Sequence, residues 1–287
     1  MESDLPKIFV VVLNFNGAAT LPACLTSILQ SDYPNFEIVV VDNDSKDESF
    51  EQAKTNFSRL HFIKNSSNIG FSKGNNIGIR FALEKFADHV FVLNNDAILK
   101  KTTLSSLLDT ADKYPNAGII SPLILTGDKK NIWFAGGKIE WNKMRAIHLT
   151  KAVSKLPYSS EYLSGCALLI KKEVFKKIGL FDERFFLYYE DADFSLRAKK
   201  AGFDLLVDPM VRIAHHEQSK NNNSKTYWLV LSGLIFFETH ASLPIKLYTF
   251  VYILLRKIKN AYKRRFANDL LARDVHRAYV DFKKLQN

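Results

Sequence analysis

Three apolar runs in the first hundred residues each stop at asparagine or aspartate, and this repetition constrains the fold more than any other feature of the chain. "KIFVVVLN" (7–14) leads into Asn16 and Gly17, "FEIVVVDN" (36–43) into Asp44, and "HVFVLNND" (89–96) ends on Asp96. A shorter run, "LHFIKN" (60–65), lies between the last two. Such runs predict buried strands. Between them the period becomes helical. Leu21, Leu25, Ile28 and Leu29 share one face of a segment over 18–30, "DSKDES" offers capping residues to a second helix, and "FSKGNNIGIRFALEKF" begins a third. Strand and helix in regular succession predict an α/β fold, a Rossmann-like, mostly parallel sheet flanked by helices with right-handed crossovers.

In such a sheet ligands bind outside the carboxyl ends of the strands. Asn14, Asn16 and Gly17 stand at the first end, Asp42, Asn43 and Asp44 at the second, and Asn94, Asn95 and Asp96 at the fourth. Each triplet alone suits a turn, because Asn, Asp and Gly tolerate left-handed backbone. Three in one parallel sheet converge on one crevice. The glycine segment "NIGFSKGNNIG" (68–78) is not GxGxxG directly after the first strand, and no GxxxxGK[ST] occurs, which weighs against a dinucleotide dehydrogenase and a P-loop NTPase. Asp96 after two asparagines suits a hard cation, Mg²⁺ or Mn²⁺, that completes its shell with phosphate and water. That points to a nucleoside diphosphate substrate.

A second cluster lies in "FFLYYEDADFSLRAKKAG" (185–202), where Glu190, Asp191 and Asp193 occupy four positions. On a surface helix such carboxylates repel one another. At a helix start they also satisfy the dipole; facing a cleft they hold a proton acceptor, a cation or a sugar. "SGCALLIKK" (164–172) reads as a strand on which Gly165 permits close backbone approach. "GLFDERFF" puts Asp182 and Glu183 in a turn ahead of the carboxylates. Trp133 and Trp141 form either a sugar-stacking platform or core aromatics, and Lys73 either approaches phosphate or is solvated.

With 287 residues, 47% of them hydrophobic, the chain buries a sizeable core as one large domain or one domain with an appendage. The acidic start lacks the character of a secretory signal, so the mature chain is expected to begin near Met1. Cys24 and Cys166, far apart in apolar surroundings, read as buried thiols in a reducing cytosol. The net charge of +10 is uneven: 11 Lys and Arg against 3 Asp follow Pro244, which is +8. No nucleic-acid-binding motif accompanies that charge, and nucleic acid is not an expected partner.

In order and spacing, "VVLNFNG", "IVVVDNDSKDES", "NSSNIGFSKGNNIGI", "FVLNNDA", "YLSGCALLIKKEVFKKIGLFDERFFLYYEDADFSLRAKKAGF" and "VRIAHHEQS" resemble family 2 glycosyltransferases of the GT-A fold, most closely the rhamnosyltransferase-like branch. The resemblance covers roughly residues 7 to 240. It implies an inverting transferase that moves a sugar, with rhamnose from a thymidine diphosphate donor as the branch's example, to a hydroxyl of a surface glycan or lipid-linked acceptor. By position it implies Phe15 against the base and Asp42 and Asn43 on base or ribose. Asn14, Asn16, Asn68, Lys73, Asn76, Asn94 and Asn95 complete the nucleotide-sugar site. Asp96 binds the metal with His215 joining it or the phosphates, ahead of His216, and Ser219 fits the same motif. Asp191 is the general base, and Glu190, Gly165 and Trp133 bind acceptor. Asn94 stands where the family's first acidic metal ligand usually is.

The resulting organisation is a GT-A domain over 1–240, with a nucleotide-sugar-binding half (1–100) and an acceptor-binding half (101–240), followed by a basic amphipathic helical tail over 241–287. "YWLVLSGLIFF" and "LYTFVYILL" fall short of the roughly 20 residues a spanning helix needs. The second leads into "RKIKNAYKRR", a pattern suited to an interfacial helix on an anionic leaflet. The enzyme is therefore expected in the cytoplasm, peripheral on the inner face of the cell membrane. Packing on the catalytic domain or a homo-oligomer contact are the other readings of the tail. Two alternatives to the transferase are a sugar nucleotidyltransferase, whose glycine-rich loop after the first strand is missing, and a non-catalytic nucleotide-sugar or glycan-binding partner of another transferase.

Overall fold

The computed structural model describes residues 5–216, 224–266 and 269–286. Its first half runs β1 (Ile8–Asn14), α1 (Leu21–Leu29), β2 (Phe36–Asp42), α2 (Ser49–Asn56), β3 (His61–Lys64), α3 (Gly70–Glu84) and β4 (His89–Asn94). Then come β5 (Ala97–Ile98), α4 (Thr103–Lys113), β6 (Ala117–Thr126), β7 (Ile132–Phe134), β8 (Gly137–Glu140), β9 (Arg145–His148) and β10 (Tyr158–Ser159). The chain continues through β11 (Ala167–Lys171), α5 (Lys172–Ile178), α6 (Glu190–Lys200), β12 (Asp204–His215), α7 (Ser224–His240), α8 (Leu243–Phe266) and α9 (Leu270–Gln286).

The main sheet has the order β10-β12-β6-β11-β4-β1-β2-β3. Its half built from β3, β2, β1 and β4 is parallel, as the alternating pattern predicts. Ile8 to Val12 are fully buried in the centre of that sheet; each such side chain is worth about 1.5–3 kcal/mol in transfer from water. Pairing is in register, Asn14 opposite Asp42 on one side and Leu13 opposite Asn94 on the other, so the polar strand ends form one row. Beyond β4 the direction reverses: β11 is antiparallel to both β4 and β6. It therefore enters the sheet at the end where β4 leaves it, and Asn94 N–H donates to Cys166 O at 3.0 Å.

Two local expectations change. The first helix begins at Leu21 rather than Ala18, because Asn16 adopts φ 52° and Gly17 O accepts the N–H groups of Thr20 and Leu21. "DSKDES" supplies no side-chain cap at the start of α2; Asp47 instead accepts from Ser49 and from the N–H of Ala18. The aromatic α7 packs on the body, where Phe236 and Phe237 are buried against Trp141 and Tyr189. α9 folds back on α7 and α8, with Tyr227 Oη donating to Asp281 at 3.0 Å and Asn260 Nδ2 to Ala272 O at 2.8 Å. Among the described residues no helix is long and apolar enough to cross a membrane.

Candidate active site

Asn14 organises the first two strand ends. Its fully buried amide donates to Asp42 Oδ1 at 2.8 Å and to the hydroxyls of Ser45 and Ser49, and its Oδ1 accepts from Asn95 Nδ2 at 2.8 Å. Asp42 in turn accepts from the N–H and hydroxyl of Ser45. Gly17 lies against this bridge: a Cβ there would stand 2.3 Å from both Asn14 Oδ1 and Asn95 Nδ2. Asn43 Nδ2 donates to Gly70 O at 2.9 Å and more weakly to Asn68 Oδ1, while its own Oδ1 accepts from Asn65. These amides hold one another, which leaves backbone edges and the exposed residues to meet a ligand. Phe15, 45% exposed, stands at the rim beside Asn16, whose Oδ1 accepts from Lys46 N–H.

The end of β12 brings His215 beside Ala97 in the antiparallel pair with β5. His215 Nε2 then lies 3.0 Å from Asp96 Oδ1. That contact is an ion pair without an aligned N–H, since Asp96 Oδ1 and His215 Nδ1 are both buried with no hydrogen-bond partner. Burial works against charge on His215, but Cys166 and then Asp96 outweigh it and lift its pKa to about 11. Trp133 packs edge-on against His215 and His148, each at 4.5 Å between ring centroids.

The two acceptor-side carboxylates differ in their surroundings. Asp191 Oδ2 accepts from Gly165 N–H at 2.9 Å and Oδ1 from Ala192 N–H at 2.8 Å. Burial raises its pKa and these N–H groups restrain the rise. Glu190, 5% exposed, has an oxygen with no donor; burial first and the Asp191 charge second push it well above the ordinary carboxylate range. Tyr188 and Tyr189, immediately before, both adopt left-handed backbone, φ 69° and 67°. Such strain in two non-glycine residues persists only where packing holds it. Here Tyr189 is buried against Phe236 and Phe237.

A continuous chain of contacts joins these groups. Asp42, Asn14 and Asn95 are hydrogen-bonded in series. Asp96 meets His215, which interacts with Cys166, and the adjoining Gly165 holds Asp191. From the other side Asn43 binds Gly70 O, and Phe71 N–H donates to Phe186 O just before α6.

Several expectations are corrected. Asn76 is buried with its amide committed to Phe181 and Glu183, so it ties α3 to the turn ahead of α6 instead of facing a nucleotide. Lys73 is exposed on α3, and its charge acts on Glu183. Asp193 is paired with Arg197 and with His240 at 2.7 Å each and clamps α6 to α7. Gly165 contributes its N–H to Asp191. Trp141 packs on Phe236 and Phe237, apart from the Trp133 contact with His215, so the two tryptophans do not build a common platform. His216 is exposed, and Ser219 lies outside the described residues. Asn65, which closes the third apolar run as Asn14 and Asp42 close the first two, joins the site through Asn43, while Ser45, Ser49 and Cys166 join it without standing at the end of such a run. Cys24 and Cys166 are both buried and not joined in a disulfide.

A mixed sheet whose parallel half is followed by the antiparallel β11, with polar strand ends and a carboxylate pair at a helix start linked to them, defines a glycosyltransferase of the GT-A fold. A family model described as Glycosyl transferase family 2 matches residues 9–179, and the chain belongs to that family. It is 28% identical over 211 residues to the dTDP-rhamnosyl transferase RfbF of Shigella flexneri, covering 73% of this chain and 69% of the relative. It is 25% identical over 232 residues to the N-acetylglucosaminyl-diphospho-decaprenol L-rhamnosyltransferase of Mycobacterium tuberculosis, covering 72% and 75%. The crystal structure of GalNAc-T7 with UDP, GalNAc and Mn²⁺ superposes with a TM-score of 0.68 at 19% identity, over 83% of this chain and 48% of that one. The chain thus spans about half the length of that structure. As a member of this family it is an enzyme, a glycosyltransferase.

Proposed function

We propose that the enzyme transfers a deoxyhexose such as rhamnose, from a nucleoside diphosphate, with inversion, to a hydroxyl of a lipid-linked or surface-glycan acceptor. The observation that carries the reading is the environment of Asp191, a half-buried carboxylate held by two N–H groups and linked through Gly165 and Cys166 to His215 and Asp96. The sugar assignment is supported by the two rhamnosyltransferase relatives.

Asp191 takes the acceptor hydroxyl's proton as that oxygen attacks the anomeric carbon from the face opposite the diphosphate. The anomeric C–O bond breaks and the nucleoside diphosphate departs with its electron pair. A positioned base typically contributes 10² to 10⁴ fold. Glu190, whose pKa is raised the more strongly, holds its proton and donates a hydrogen bond to the acceptor. Asp96 would hold a divalent cation, Mg²⁺ or Mn²⁺, and His215 would join it by giving up its proton to the solvent as the ion binds. Asp96 Oδ1, buried with no hydrogen-bond partner, and His215 Nε2, 3.0 Å from it, would supply a carboxylate oxygen and an imidazole nitrogen to such an ion. Bound there, the ion stabilises the leaving diphosphate as a Lewis acid. Among the described residues no third His, Cys, Asp or Glu joins them in a metal-holding group.

The tail supports a reading in which this chemistry takes place at a cytoplasmic membrane face. On α8, Leu247, Phe250, Val251, Leu254, Ile258 and Tyr262 point outward and are at least 50% exposed. A soluble helix buries such a stripe; one that displays it beside lysines suits an anionic interface.

Release of nucleotide from a panel of nucleoside diphosphate sugars, with and without lipid-linked acceptors, tests the reading on wild type and Asp191→Asn. Acceptor-dependent release from one donor that falls at least about 10² fold in the variant supports it. Undiminished release by Asp191→Asn removes the base assignment.

A further inference from the structure

A cavity of about 750 Å³ lies between α7, α8, α9 and the β8–β9 hairpin, away from the strand ends. Five cations line it, Lys143, Arg145, Arg256, Lys259 and Lys263, against one carboxylate, Asp269. Lys143 and Arg145 are paired with Glu140, and Lys263 lies 3.9 Å from Asp269. Arg256 and Lys259 form no ion pair among the described residues. Most of the remaining wall is apolar, including Leu229, Leu234, Leu255, Leu271 and Val275. A cavity with uncompensated positive charge set in apolar walls suits an amphiphile with an anionic head.

The two sides of α8 say where the apolar part goes. Tyr252, Arg256, Lys259, Asn260 and Lys263 recur at helical spacing and line the cavity. Leu247, Phe250, Val251, Leu254 and Ile258 lie on the opposite side, exposed. Leu255 sits on the margin, exposed yet part of the wall. A head bound at Arg256 and Lys259 can therefore pass its chain over Leu255 to the apolar side. Tyr189, next to Glu190, forms another part of the wall.

We propose that this cavity binds the phosphate-bearing head of the lipid-linked acceptor, an isoprenoid-type diphosphate. The assignment rests on the transferase reading above and adds the place where the acceptor's lipid end is held. Lys259 and Arg256 neutralise the diphosphate, and the glycan end is directed past Tyr189 toward Asp191.

The test is calorimetric titration of the full chain with farnesyl diphosphate in EDTA, which removes cation-dependent binding at Asp96. Farnesyl diphosphate is expected to bind at least about tenfold more tightly than inorganic diphosphate. Lys259→Glu and Leu255→Glu, both at exposed positions, should each weaken it about tenfold, and Phe250→Glu on the outer side should leave it within about twofold. No binding, equal affinity for inorganic diphosphate, or equal loss in Phe250→Glu would overturn the site, the last showing adsorption to the outer face. Asp191→Asn separates the two readings. If it binds farnesyl diphosphate normally and has lost transfer, both stand; if it binds normally and still transfers, the site stands and the assigned base falls.

Discussion

Gly165 N–H, at the entrance to β11, donates to Asp191 Oδ2 at 2.9 Å in the first turn of α6. A strand that enters against the parallel direction thereby sets the position of a carboxylate borne by a later helix. With Ala192 N–H on its other oxygen, Asp191 is the member of the pair equipped to carry charge, while Glu190 has a buried oxygen with no donor. Adjacent carboxyls in unlike environments titrate apart.

Glu190→Gln is expected to stabilise the protein at pH 8 while lowering transfer. The folded pKa of Glu190 is raised, so the native state retains a proton that the unfolded chain releases. Stability therefore falls as pH rises from the ordinary 4.5 through the folded value. Glutamine does not titrate, and the gain should read as about 2 °C of melting temperature for each kcal/mol. It should vanish at pH 4. An equal gain at both pH values would attribute it to packing and contradict the ionisation argument.

Chelation should abolish nucleotide release, and Asp96→Ala or His215→Ala should each raise the half-saturating Mn²⁺ concentration on the order of tenfold or more. Asn94→Asp, which restores an acidic ligand type, should lower it. A titration of release against Mn²⁺ reads all three, and indifference of both alanine variants would remove the cation from these two residues.

Gly17→Ala should cost about 2 kcal/mol, because its Cβ would meet the Asn14–Asn95 bridge at 2.3 Å and disrupt a fully buried amide. Donor affinity should fall with it. Urea unfolding and nucleotide titration measure the two effects; wild-type stability would mean that the bridge yields freely.

Phe250→Glu and Leu254→Glu should weaken binding to phosphatidylglycerol vesicles about tenfold or more, since both exposed side chains lie on the apolar side of α8. Wild-type binding should also decline with added NaCl, because each Lys or Arg near an anionic surface contributes about 1 kcal/mol that salt screens. Flotation with phosphatidylcholine vesicles is the control; equal recovery on both lipids, unaffected by either variant, would place the tail elsewhere.

The strand ends show how far local pattern carries. Asn14, Asp42 and Asp96 were recognisable because each terminates an apolar run, and a parallel sheet gathers such ends. Asn76 looked equivalent, standing in a glycine- and asparagine-rich segment, yet its amide serves Phe181 and Glu183, 105 and 107 residues away. Residue type alone does not separate Asp193 from Asp191 in "EDAD", and it is the family resemblance that singles out Asp191; in the structure α7 brings His240 onto Asp193. Neither partner is visible from spacing.

By itself the sequence determined the parallel half-sheet, the row of polar ends and the carboxylate-bearing helix, because burial and hydrogen-bond demand act along a few consecutive residues with periods of 2 and 3.6. Only the tertiary structure decided which polar groups are consumed in holding one another and which remain open. That choice depends on registers such as Asn14 opposite Asp42, on the reversed entry of β11, and on α8 setting Arg256, Lys259 and Lys263 on the side opposite Leu247, Phe250 and Leu254. These are relations between segments far apart in the chain, set by the packing of the whole.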